Sequence, residues 1–276
     1  MAYDRVQVFG KKRESLAKKK KAKSIFRSPS GILADIVGIV ALVVFVLFNV
    51  VPPEIVADPF AEFVTASETE KYILKNVDVD ADIYQPVVIN DNIPLFVISD
   101  SYGNSYESYS NLDYLGRCGT AEALLGKDLM PEGERESISS VTPSGWKNES
   151  YPDAAAACSW DGQYWANRCH LIAYALTGEN ANELNLITGT REMNLNMLVY
   201  EMQLIDYVRN SGNHVLYRVT PVFKGAESVA RGVLMEAYSV EDNGQGIEFC
   251  VWVPNTQHCL TINYRNGDTN TDVTDQ

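Results

Sequence analysis

Asn167–Glu201 reads NRCHLIAYALTGENANELNLITGTREMNLNMLVYE, and the division of this stretch into elements decides the fold. It opens on an apolar, strand-like run with a single histidine, His170, beside Arg168. A loop rich in Asn follows, and then a helix. From Met197 to Val208, the side chains Leu198, Met202, Ile205 and Val208 recur at helical spacing, and Gly212 is placed to end that helix. Downstream, His214–Phe223, Val229–Val240, Glu248–Pro254 and Leu260–Tyr264 are four β-rich runs separated by turn residues, the pattern of an antiparallel sheet. Upstream, Ile93–Ile98 is a short strand candidate, and Tyr114–Leu125 reads as a strand leading into a helix. The fold class is α+β: an antiparallel sheet with packed helices in one domain, preceded by one N-terminal transmembrane helix.

The chemistry in the central stretch is sparse. Hydrolysis of a phosphodiester needs a base to activate water, a cation to hold phosphate oxygens and stabilisation of the leaving oxygen. One histidine can be the base. A carboxamide oxygen completed by phosphate and water suits Mg²⁺, which keeps much of its hydration. Asn194 and Glu201 lie seven residues apart on the helix, so two turns bring them to one face. His214 and His258 sit at strand or turn edges and read as structural or surface residues.

This segment resembles the DNA/RNA non-specific endonuclease family, the ββα-metal nucleases that include Gram-positive surface and DNA-entry enzymes. That family's Asp-Arg-Gly-His stands here as Asn167-Arg168-Cys169-His170, and its downstream Asn-x-x-Asn as Asn182-Glu183-Leu184-Asn185. Its metal-binding Asn falls on Asn194, and an acidic residue on the same helix falls on Glu201. Upstream, GRCGTAEALLGKDLMPEGERESISSVTPSGW (Gly116–Trp146) is similar to the family's Gly-Arg, Pro-x-x-Glu-Arg and Pro-x-Gly-Trp run. The resemblance covers about Tyr114–Tyr264. It implies a sequence-non-specific endonuclease cutting DNA, and RNA as well, with 5′-phosphate products. It implies a ββα-metal motif with His170 as general base and Asn194 as the direct protein ligand of Mg²⁺, for which Mn²⁺ can substitute. Arg168 would contact phosphate, Asn185 would hold the metal-bearing loop, and Glu201 would orient metal-bound water. Two positions depart from the pattern, Asn167 for Asp and Cys169 for Gly. They favour the alternative of a catalytically degenerate, membrane-anchored surface binding module.

The ends of the chain carry other information. Gly31–Val51 (GILADIVGIVALVVFVLFNVV) has one charge, Asp35, and is long enough for the ~30 Å hydrocarbon layer at ~1.5 Å rise per residue. Pro52-Pro53 then stops the helix. Residues 1–30 hold ten Lys/Arg against Asp4 and Glu14. Such a basic tail beside a span stays cytoplasmic, which puts the body outside the cell. A cleaved signal peptide ending near Ala57 is the competing reading. The expected organisation is a basic cytoplasmic tail (1–30), a transmembrane helix (31–51), a stalk (52–75) and an extracellular nuclease domain (76–276). Beyond residue 52 there are 13 Lys/Arg against 33 Asp/Glu. An acidic body is poorly suited to a polyanion unless a divalent cation and a local basic patch offset it. Five cysteines without a CxxC pair argue against structural zinc. The disulfides to test are Cys250–Cys259 across a hairpin and Cys118–Cys169, against buried free thiols.

Overall fold

The computed structural model describes residues 67–98, 103–160 and 162–271. The chain enters through helix α1 (Glu68–Asn76), which starts with a reciprocal capping box. The Ser67 hydroxyl accepts from the Glu70 amide at 3.1 Å, and the Glu70 carboxylate accepts from the Ser67 amide at 2.7 Å. Strands β1 (Val87–Val88), β2 (Tyr106–Tyr109) and β3 (Ala121–Leu125) follow, then a short helix α2 (Pro152–Ala157) with proline in its first turn. Next come β4 (Ala166–His170), the one-turn helix α3 (Tyr174–Thr177), β5 (Leu186–Thr190) and the long helix α4 (Arg191–Ser211). The chain ends with β6 (Val215–Val222), β7 (Gly232–Ser239), β8 (Glu248–Pro254), β9 (Leu260–Asn263) and β10 (Asp268–Thr271).

Six strands form one antiparallel sheet in the order β1-β8-β7-β6-β3-β2. Its central strands are buried at almost every position because both faces are covered. On one face, Tyr217, Val219, Val233, Met235, Ala237, Val251 and Val253 pack with Met193, Met197, Leu204, Ile205 and Val208 of α4. On the other, Val222, Leu234, Cys250 and Trp252 enclose Ile73 of α1. The fold is therefore α+β, with the sheet as its middle layer. β4 and β5 pair antiparallel outside the sheet, and α4 leaves β5 without a connecting loop, making a β-β-α unit.

Several sequence expectations change. Residues 67–75, placed in the expected stalk, are the cap and most of a helix whose Ile73 is fully buried against the sheet, so they pack as part of the folded body. Ile93–Ile98 is not a strand; Leu95 is instead held by its amide on the Glu236 carboxylate at 2.6 Å. The helix expected after Tyr114 is absent, and a turn at 114–116 leads to β3. The last β-run stays out of the main sheet because β9 pairs with β10 through a hairpin at Asn266-Gly267, where Gly267 adopts φ 79°. The disulfide is Cys158–Cys259, while Cys118, Cys169 and Cys250 are free and buried. Cys250 could not reach Cys259 because it points from the central strand β8 into the α1 face of the sheet, against Ile73 and Trp252. Cys118 donates to the Leu186 carbonyl at 3.2 Å, and burial pushes its thiol up to about 12. Among the described residues no helix is long and apolar enough to cross a membrane, and the span read at 31–51 lies outside them.

Candidate active site

The β-β-α unit gathers the residues that the sequence singled out. His170 is the last residue of β4 and is 8% exposed. Its Nε2 lies 2.8 Å from the Asn180 carbonyl, which can only accept, so Nε2 carries the proton. The lone pair is then on Nδ1, and the Arg135 guanidinium donates to it at 3.3 Å. Burial lowers the pKa of His170, with Arg135 adding in the same direction and the Asn180 carbonyl opposing. The ring is thus neutral at physiological pH, with its free nitrogen fixed in direction, as a general base requires.

The turn that carries the Asn180 carbonyl is fixed by Asn185. The Asn185 side chain is fully buried and clamps Ile172 from both sides, accepting from its amide and donating to its carbonyl, each at 2.9 Å. Its own carbonyl accepts from the Leu171 amide at 2.9 Å. Asn182 caps the turn through Leu184 N–H at 3.0 Å. The two asparagines therefore hold the chain immediately after His170.

Helix α4 supplies the rest. Thr190 caps it by accepting from the Met193 amide at 2.9 Å, and Gly212 ends it at φ 72°. Glu201 falls in the helix's buried stripe with Met193, Met197, Leu204, Ile205 and Val208. Burial pushes its pKa up to about 8, and Arg135 is the charge that opposes this. Among the described residues nothing donates a hydrogen bond to this carboxyl. The Tyr217 hydroxyl, near enough to feel Glu201's charge, is buried without a partner among the described residues. Asn194, at the edge of the same stripe, is half-buried, and its carboxamide has no hydrogen-bond partner among the described residues. An unsatisfied buried polar group costs about 1–3 kcal/mol, and the orphaned Tyr217 hydroxyl of β6 beside the Glu201 carboxyl of α4 marks a place that a ligand would complete. Among the described residues no three side chains of His, Cys, Asp or Glu converge on a point. An ion held here would have to draw on carboxamide, water and substrate oxygens.

Arg168, expected to contact phosphate, is engaged on the protein itself. Its Nε donates to the Val141 carbonyl at 2.5 Å and its Nη2 to Ser139 at 3.3 Å, and its guanidinium lies 4.0 Å from the centre of the Trp146 ring. It ties the 139–146 segment to β4. The guanidinium at the base is Arg135 instead, which sequence reasoning quoted within PEGER (Pro131–Arg135) but gave no role. The departure at Cys169 has a structural answer: its thiol packs fully buried against Gly189 on the neighbouring strand. A Cβ at Gly189 would stand 2.5 Å from the Cys169 sulfur, so the absence of a side chain at Gly189 makes the room that the Cys169 thiol fills.

Residues 97–241, more than half of the chain, match the family model described as DNA/RNA non-specific endonuclease. A deoxyribonuclease from Streptococcus dysgalactiae subsp. equisimilis is 35% identical over 104 residues, 36% of this chain and 31% of that protein. The chain thus spans less than a third of that relative's length. NucA from Streptococcus agalactiae, solved with a magnesium ion bound, is similar with a TM-score of 0.60 and 26% identity, over 76% of this chain and 99% of that one. Sda1 nuclease, solved with a bound zinc ion, gives 0.51 and 30% over 60% of this chain and 81% of its own. With that extent of match and with His170, Asn185 and Asn194 on a β-β-α unit, the chain belongs to the DNA/RNA non-specific endonuclease family.

Proposed function

We propose that this protein is a metal-dependent, sequence-non-specific endonuclease that hydrolyses the phosphodiester bonds of DNA, and of RNA, outside the cell. The observation that carries the reading is His170: a buried, neutral imidazole whose Nε2–H donates to the Asn180 carbonyl and whose lone pair faces Arg135. In catalysis Arg135 turns from Nδ1 to the phosphate oxygens as a bidentate donor. Nδ1 is then free to accept the proton of the attacking water, and the Asn180 carbonyl stabilises the imidazolium that results. Asn194 is the residue that would hold Mg²⁺, with Mn²⁺ as a substitute, and Glu201 stands two turns along the same face to orient its water. When bound, the ion supplies charge stabilisation to the phosphate and the leaving oxygen. The bare Asn194 carboxamide and the unpaired Glu201 carboxyl fit such a group. Arg168 acts at one remove, by holding the 139–146 segment.

The extracellular setting and the single-pass anchor at 31–51, N-terminus inside, belong to the same proposal. The basic tail supports them, and so does the Cys158–Cys259 disulfide, since disulfides persist in oxidising compartments. The test is plasmid and RNA degradation by the full chain with Mg²⁺ and with EDTA, beside protease treatment of intact cells. Cleavage that EDTA abolishes, and loss of the body with a protected N-terminus, are the expected results. A folded protein that binds nucleic acid without cutting it would make this the degenerate binding module.

A further inference from the structure

The start of α4 is held by a segment distant in sequence. Asn255 is fully buried; its Oδ1 accepts from the Thr190 amide at 2.8 Å, and its Nδ2 donates to Thr188 at 3.1 Å and Ala230 at 2.9 Å. The Thr190 hydroxyl donates to the Thr256 carbonyl at 2.7 Å. Gln257 accepts from the Glu192 amide at 3.1 Å, and the Glu192 carboxylate accepts from the His258 amide at 3.0 Å and pairs with His258 Nδ1 at 2.7 Å. The His258 ring stacks on Tyr84 with centroids 3.7 Å apart, and its carbonyl accepts from the Trp160 indole at 2.8 Å. Cys259, the next residue, is bonded to Cys158 at the end of α2, with both cysteines half-buried. Four consecutive residues thus clamp the first turn of the helix, and a disulfide fastens the clamp. Asn194 is two residues beyond Glu192.

We infer that the Cys158–Cys259 disulfide, acting through the 255–258 clamp and the Glu192–His258 pair, positions the first turn of α4 and so sets how tightly the enzyme holds its metal. Glu192 and His258 are positioning residues, since neither meets the reacting atoms. The inference rests on the reading of Asn194 as the metal-holding residue. Helix ends fray where their first amides lack fixed partners, and here Thr190 and Glu192 amides are held by side chains of 255–257. Without the staple, the clamp rests on hydrogen bonds of a loop that includes a left-handed residue, Cys259 at φ 60°. Reduction is available to any dithiol: the S–S bond takes two electrons and two protons to give two thiols, and the reductant closes to its own disulfide.

The experiment compares the full chain, oxidised and after dithiothreitol, with Cys158→Ser/Cys259→Ser and with Glu192→Ala, in which the disulfide is intact. Two readouts are taken: the Mg²⁺ concentration for half-maximal turnover, and amide hydrogen exchange over residues 191–197. The expected result is a rise in the Mg²⁺ requirement of about 10- to 100-fold, the range for partners that orient a metal's ligands, with turnover at saturating Mg²⁺ nearly kept. Exchange in 191–197 should quicken while β6 and β7 keep their protection. Glu192→Ala should reproduce both effects even if the cysteine variant does not fold. Unchanged exchange in 191–197 overturns the inference. So does a general loss of protection with turnover falling equally at all Mg²⁺ concentrations, because that is a staple for the whole fold. Asn194→Ala is the control that separates the two readings. If it leaves the Mg²⁺ requirement unmoved, the metal assignment fails while the exchange data still judge the clamp.

Discussion

On the α1 face of the sheet, Glu236 of β7 is completely enclosed and completely paired. Arg218 grips it with two hydrogen bonds, Nε to Oε2 at 2.9 Å and Nη2 to Oε1 at 3.1 Å, and the Leu95 amide adds a third. On the opposite side, Glu201 of α4 is buried among apolar neighbours at 7% exposure, yet no hydrogen bond reaches it among the described residues and its pKa rises to about 8. The molecule has the means to satisfy a buried glutamate, and uses them where the task is to fasten the 93–96 segment to the sheet. It leaves the other open beside Arg135, one side chain away from His170. The scaffold buries charge only in closed sets; the β-β-α unit keeps open valences that stabilise nothing by themselves.

Four substitutions break or sharpen that contrast. The largest effect is on turnover at His170. His170→Ala should lower it by about 10² to 10⁴, the contribution of a positioned base, with the melting temperature nearly kept. A fall in activity that only follows the folded fraction would return His170 to the scaffold. Next is Glu236→Ala, which strands Arg218 and should cost about 3–5 kcal/mol in a denaturant titration while turnover per folded molecule stays level. Then Arg135→Gln should reduce turnover by about 10²-fold, as loss of one preorganised donor does. It should also move the acid limb of the kcat/KM profile upward, because the Arg135 charge helps hold the pKa of His170 below its ordinary value. A limb that stays in place would show that the imidazole is governed by burial alone.

The smallest effect is at Glu201 and appears only in the pH dependence of stability. Its folded pKa of about 8 lies above the ordinary carboxyl value of 4.5, so the folded state binds the extra proton. Stability from this group is complete below the ordinary value and is lost as pH rises through about 8. In EDTA, Glu201→Gln should therefore melt with wild type at acid pH and roughly 2–8 °C above it past pH 8. Parallel melting curves across that range would mean that the carboxyl is solvated and the contrast with Glu236 does not hold.

Local pattern carried much of this protein. The runs at β6, β7 and β8 and the terminal glycine of α4 are legible, because side-chain period and end caps act within a few residues; the stripe of α4 is only half so, since Ile205 and Val208 are buried as expected while Leu198 and Met202 are exposed and Met193, Met197 and Leu204 take their place. The singling out of His170, Asn185 and Asn194 rests on the family resemblance rather than on periodicity. The capping box Ser67-x-x-Glu70 is a local signal of the same kind and marks a helix inside the expected stalk. What the tertiary structure alone decided joins segments far apart in sequence. Arg135 reaches His170 across 35 positions, while Arg168, beside the histidine in sequence, is drawn to the 139–141 carbonyls. Cys259 finds Cys158 across 101 positions rather than Cys250 nearby, because β8 buries Cys250 in the opposite direction. No periodicity encodes such pairings. They follow from which faces of the β4–β5 hairpin and the sheet remain to be covered once the local elements have formed, and that is settled only when the layers close on one another.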